Sequence, residues 1–215
     1  VAMAQPDLKK LVAYSSVSHL GFVMLGLFAL NLQGFQGAIY QMLNHGLSTG
    51  ALFLLVGMIY DRRHSRMIVD YGGLWKSLPI FSAIFLVVIL SSIGLPGLNG
   101  FVGEFLILLG AYKSLPIWAV LGAGGIVLGA IYMLWMYRRV IFGPLDQVEN
   151  QNLKDIGARE IALLTPILIL IFLMGIYPSP WLNRIKPSVD LVINRVVHKT
   201  ELVRHAVKTT QIAAE

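Results

Sequence analysis

Apolar residues fall into five long runs separated by short polar stretches. Crossing a hydrocarbon core of about 30 Å takes roughly 20 mostly apolar helical residues. Residues 11–30 meet that length, opened by Asp7, Lys9 and Lys10 and closed by Asn31, Gln33 and Gly34. Residues 35–60 meet it again and stop at Asp61, Arg62, Arg63, His64 and Arg66. A connection through Tyr71, Gly72, Gly73, Trp75 and Lys76 follows, with aromatics suited to the headgroup level. A fourth span is expected over residues 117–137, ending at Arg138 and Arg139, and a fifth over 161–177, ending at Pro178 and Pro180.

The third run, residues 80–112, would be about 50 Å long as one helix. It is interrupted by Gly94-Leu95-Pro96-Gly97-Leu98-Asn99-Gly100, where proline lacks an amide hydrogen and glycine permits non-helical dihedrals. Two half-helices, 80–93 and 101–112, are predicted on either side of a loop at depth. The fold class is therefore all-α: a polytopic transmembrane helix bundle over 1–178 with about five spans, the third broken near 94–100. Residues 179–215 form a basic amphipathic C-terminal tail. Its Val189, Val192, Ile193, Val196 and Val197 alternate with Arg195, Lys199 and Arg204, as in a helix lying on a surface or along a neighbouring subunit, with Pro187 near its start.

Composition agrees: 56% hydrophobic residues, 13% charged and a mean hydropathy of +0.72. The net charge of +6 would raise nucleic acid as a partner in a soluble chain, but here the basic residues sit in loops and the tail, where they orient spans and meet anionic headgroups. No nucleic-acid partner is expected. Basic residues before the first span, after the second and around the fourth-to-fifth connection fall on one side, which the positive-inside rule makes cytoplasmic. The same count puts the basic tail on the opposite side. Cysteine is absent, which excludes a disulfide framework, a thiolate metal site and a cysteine nucleophile. No phosphate-cradling loop or metal-ligand cluster is present, so neither cofactor nor metal is expected. The chain opens on Val1 with no leader pattern and reads as part of something longer.

Chemistry concentrates inside the spans. Gln41, Asn44, His45, Ser48 and Thr49 recur at helical spacing on one face of the second span, and Ser15, Ser18 and His19 do the same in the first. Such stripes either enclose water along which protons hop through imidazoles, or hydrogen-bond neighbouring helices. Glu104 is sharper: a carboxylate at this depth is costly, and no Arg or Lys lies in the nearby apolar stretches to pair with it. Placed in the first turn after the break, it would gain from the exposed amides of a helix N-terminus, while burial favours the neutral acid. Gly122, Gly124, Gly125 and Gly129 read as sites of close helix packing. Lys113 reads as a snorkelling residue at a helix end, His64, His198 and His205 as solvent-facing, and tyrosines and tryptophans at span ends as interfacial anchors.

The run Asp7-Leu8-Lys9-Lys10-Leu11-Val12-Ala13-Tyr14-Ser15-Ser16-Val17-Ser18-His19, the stretch Gln41-Met42-Leu43-Asn44-His45-Gly46, and above all Gly94 to Phe105 resemble the antiporter-like membrane subunits of respiratory complex I, the NADH-quinone oxidoreductase. The acid at Glu104 resembles the M-type branch, the counterpart of mitochondrial subunit 4; sister branches, and related cation/proton antiporter subunits, carry lysine there. The resemblance covers essentially the whole chain but only the C-terminal portion of a fourteen-helix subunit. It implies a partial antiporter-like fold, with His19 and His45 on a central hydrophilic axis and Glu104 as terminal proton-transfer residue. It implies a non-redox proton-pumping part in a quinone-reducing translocase, with other membrane subunits, the lipid bilayer, protons and internal water as partners. The location implied is the bacterial inner (plasma) membrane or an equivalent energy-transducing membrane. A multi-subunit sodium/proton antiporter subunit and a purely structural scaffold are the alternatives.

Overall fold

The computed structural model describes residues 1–212, with side chains described for residues 1–196. The expectations for Val197, His198, Lys199, Arg204 and His205 lie outside the residues whose side chains are described. The helices in chain order are α1 (Leu8–Phe28), α2 (Leu32–Arg63), α3 (Leu74–Ser77), α4 (Pro79–Ser92), α5 (Asn99–Ser114), α6 (Pro116–Phe142), α7 (Val148–Gln151), α8 (Ala158–Ile176) and α9 (Ser179–Ile212). Four of them, α1, α2, α6 and α8, are long and apolar enough to cross a membrane.

Local chemistry sets the ends. Asp7 caps α1 by accepting from the Lys10 amide at 3.0 Å, and Asn31 caps α2 by accepting from the Gly34 amide at 2.9 Å. Pro79 and Pro116 open α4 and α6, where a missing amide hydrogen costs nothing. The two free amides of α4 at Ile80 and Phe81 donate to Asp155 at 2.7 and 3.1 Å, so a loop carboxylate 75 residues away caps this helix.

α2 is the central element. It packs against α1, α4, α5, α8 and α9. At the end where α2 finishes, a dry core gathers Leu52, Leu55, Ile59, Phe81, Phe85, Val88, Met136, Val140 and Ile141, all fully or almost fully buried. Ionic and polar ties cover that core: Arg62 pairs with Glu160, Arg63 bonds Asn150 at 3.0 Å, Arg66 meets Asp7 at 3.7 Å, and Asn150 also holds the Asp70 carbonyl. The outward faces of α6 and α8 are apolar and exposed, including Leu121, Val127, Leu128, Ile169 and Phe172, which suits lipid. The chain is an integral membrane protein.

Several details depart from the sequence reading. α6 runs past Arg138 and Arg139 to Phe142, because Val140 and Ile141 still have core to bury. Pro187 lies inside α9 rather than near its start; the helix begins eight residues earlier at Ser179, where Pro180 is tolerated in the first turn. The first part of α9 packs on α2 of the same chain, with Val189 buried. Tyr137 and Tyr71 are not interfacial anchors: both are buried, Tyr137 donating to the Ser82 carbonyl at 3.0 Å and Tyr71 to the Ser65 carbonyl. Tyr71 lies in the loop before α3, and burial pushes its phenol up to about 12.

Candidate functional site

The break between α4 and α5 occupies residues 93–98, and its backbone turns on itself through Leu95 N–H to the Leu90 carbonyl and Leu98 N–H to the Leu95 carbonyl, both at 3.0 Å. Gly94 adopts φ +72°, and a Cβ there would collide with Oε2 of Glu104. Only glycine suits that position, for conformation and for space alike. Because α5 starts at Asn99, Glu104 stands in its second turn rather than its first. The exposed amides of a helix N-terminus do not reach so far, so they do not hold this carboxyl.

Side chains from α1 and α2 surround it instead. Glu104 is 5% exposed. His19 Nδ1 on α1 lies 3.9 Å from Oε1, and the Gln41 amide on α2 donates to the same oxygen at 3.5 Å. Both distances are long for charge-assisted contacts. The other ring nitrogen of His19 is 3.3 Å from Ser92 Oγ at the end of α4, and the rings of His19 and His45 are 5.7 Å apart centre to centre. The three site residues read from the sequence thus form one cluster carried by three helices, and the fourth, α4, supplies Ser92. Among the described residues no Lys or Arg is ion-paired with Glu104.

Two small cavities are lined by His19, each of about 10 Å³, and Ser92 is common to both as well. That is room for about one water molecule apiece. The first is lined by His45, Asn44, Ser48, Thr49, Ser91 and Ser92, among others, together with His19. Asn44 Oδ1, His45 Nε2 and Thr49 Oγ1 are buried without a protein partner, and all three residues line this cavity. A buried polar atom without a partner costs roughly 1–3 kcal/mol, a cost that one water in the cavity would offset. The second cavity is bounded by Glu104, His19, Ser18, Ser92 and Tyr132, with glycines of α6.

Sequence reasoning assigned no role to Asn99, Ser91 or Tyr132. Asn99 is fully buried and staples the break to α2: its carbonyl accepts from the Asn44 amide at 2.7 Å, its Oδ1 accepts from Ser91 Oγ at 2.5 Å, and its Nδ2 donates to Ser48 Oγ at 3.4 Å. The available signal was a lone asparagine closing an otherwise apolar break. Gly103 lets α5 approach α2, since a Cβ there would strike the Gln41 side chain. The glycines of α6 divide. Gly122 and Gly125 do face Leu25 and Phe22 closely, but nothing stands within 4 Å of a Cβ at Gly124 or Gly129, so these two do not serve close packing.

Residues 1–131 match the family described as NADH:quinone oxidoreductase/Mrp antiporter, TM. This chain belongs to that family. Among curated members, NADH-quinone oxidoreductase subunit M of Rhodobacter capsulatus is 49% identical over 189 residues, covering 88% of this chain and 37% of the relative. NADH-ubiquinone oxidoreductase chain 4 of Marchantia polymorpha is 46% identical, covering 88% and 38%. A chain of respiratory complex I from Thermus thermophilus superimposes with a TM-score of 0.83 at 34% identity, covering 90% of this chain and 40% of that one. A chain of the Mrp complex from Dietzia sp. gives 0.75 at 20% identity, covering 84% and 42%, a likeness of fold alone. The chain therefore spans about two fifths of the length of these NADH:quinone oxidoreductase/Mrp antiporter family members, and it has their all-helical antiporter-like architecture.

Proposed function

We propose that this chain forms part of a proton-translocating membrane subunit of an NADH-quinone oxidoreductase, in a bacterial inner membrane or an equivalent energy-transducing membrane. The single observation that carries the reading is Glu104: a buried acid just past a helix break, beside His19, a histidine that lines two one-water cavities. An intramembrane acid without a fixed cation is a costly feature, and a proton path is its usual reason. The relatives at 43–49% identity that carry the name NADH-quinone oxidoreductase subunit M support the choice of complex.

In this reading the chain binds neither NADH nor quinone and moves no electrons. Protons travel along His45, cavity water and His19 to Glu104. Each histidine accepts on one ring nitrogen and releases from the other. A charge moving on a neighbouring site alters the proton affinity of Glu104, which then loads or releases. Other membrane subunits supply that charge movement. The long contacts at 3.5 and 3.9 Å suit such a role, because neither fixes the carboxyl in one ionisation state.

The test is Glu104→Gln in the intact complex, with proton pumping and NADH oxidation measured together. Loss of pumping is expected; pumping equal to the parent at normal NADH oxidation refutes the role. The sodium/proton antiporter reading draws on the family description, which names both kinds of complex, and copurification with quinone-module subunits decides against it.

A further inference from the structure

The second cavity is lined by three polar side chains that the path above does not use: Ser18, Ser92 and Tyr132. Tyr132 on α6 is 6% exposed and shares the cavity wall with Glu104, His19, Ser18 and Ser92. Gly125, Gly129 and Tyr132 stand at i, i+4 and i+7, on one face of α6, and all three line the cavity. Gly129 has nothing within 4 Å of where its Cβ would lie. Gly129 thus keeps space open beside the acid, and the next turn places Tyr132 in the wall of the same cavity. Ser15 on α1 is the polar neighbour of that phenol, and it already donates its own hydrogen to the Val12 carbonyl at 2.7 Å. Its oxygen is left to accept, while the Tyr132 oxygen remains able to bond elsewhere.

We infer that Tyr132 is a positioning residue: it holds a water molecule in this cavity against the carboxyl of Glu104, with Gly129 giving that water its room. This deepens the reading of Glu104 as the proton-loading group and rests on it. A cavity of about 10 Å³ admits one water, which needs two to four polar partners to stay. Glu104, Tyr132 and Ser92 supply them. When Glu104 releases its proton, the O–H bond of the carboxyl breaks as the cavity water takes that proton and passes one of its own to the ring of His19, which lines the same cavity; reloading runs the transfer backwards, from His19 through the water to the carboxyl. Tyr132 keeps its own proton throughout, and no electron moves.

The experiment uses the intact complex and two readouts: coupled proton pumping, and the infrared band of the protonated carboxyl. Glu104→Gln identifies that band by removing it. Tyr132→Phe keeps the ring and its packing and removes only the hydroxyl. Its expected effect is a shift of the Glu104 band and a slowing of pumping by about fivefold, the worth of one ordinary hydrogen bond. Gly129→Ala, which adds a methyl to the cavity without touching Tyr132, is expected to shift the band in the same way, and it decides the matter if the Tyr132→Phe complex does not assemble. A band left unmoved by either assembled variant overturns the inference, whatever happens to pumping. If Glu104→Gln itself pumps like the parent, the reading of Glu104 has failed, an outcome distinct from failure at Tyr132.

Discussion

Two glutamates in this chain are held in contrasting ways, one as a structural acid and the other as the acid proposed to carry protons. Glu160, at the start of α8, is gripped by Arg62 through two bonds at 2.7 and 2.6 Å, and it accepts from the Gly157 amide at 2.8 Å. Arg62 is itself tied to the carbonyls of Met58, Lys154 and Asp155. Among the described residues Glu104 has a histidine at 3.9 Å and an amide at 3.5 Å as its polar contacts, in a far drier place. One carboxylate is locked as an anion by a fork that is always charged. The other meets only partners whose charge or position can change. The proposed role of Glu104 therefore rests on burial without a permanent counter-charge, and not on burial alone.

The contrast can be broken deliberately. His19→Lys would set a permanent cation beside Glu104 and turn it into a copy of Glu160. Pumping should be abolished while the complex still assembles, as measured in reconstituted vesicles alongside NADH oxidation. Gly94→Ala attacks the same acid from the break. The left-handed backbone costs about 1–2 kcal/mol for a residue with a Cβ, and the added methyl displaces the Glu104 carboxyl. Both the thermal stability of the subunit and the pumping rate should fall.

At the other acid the effect should be on stability only. Arg62→Ala removes the fork and leaves three carbonyls without their donor, an expected loss of about 1–2 kcal/mol on a partly exposed pair. Protease accessibility of the loop over residues 143–157 should rise, with the proton-to-electron ratio of assembled complexes unaltered. Smallest of all is Ser48→Ala, which deletes the 2.6 Å bond to Ser91 and the long 3.4 Å bond from Asn99 Nδ2, but leaves Asn99 tied to both Asn44 and Ser91. Hydrogen bonds between membrane helices average about 0.6 kcal/mol, so a barely detectable change in melting temperature is expected.

Much of this architecture was legible before any coordinates. Glu104 stands out because a charge in an apolar run is rare, and the break because Pro96 and its glycines cannot continue a helix. His19 and His45 were legible as members of stripes at helical spacing. What stayed hidden depended on partners far away in sequence. Tyr137 looks like an interfacial ring until Ser82, 55 residues earlier, is seen to take its hydroxyl. Asn99 looks like part of a loop until Asn44 and Ser48 arrive from α2. The start of α5 at Asn99 moved Glu104 out of the first turn, a shift of two residues that changed which groups surround the acid. Tyr132 and Gly129 needed the rotation of α6 about its own axis, which an apolar run open to lipid on most sides does not encode by periodicity.

The most direct test sets the two acids against each other in one measurement: the number of protons pumped per electron in complexes carrying Glu104→Gln or Glu160→Gln. A lowered ratio for Glu104→Gln, with the parental ratio for Glu160→Gln, is the expected result. A parental ratio for Glu104→Gln, or an equal fall for both variants, would contradict the assignment of proton transfer to Glu104.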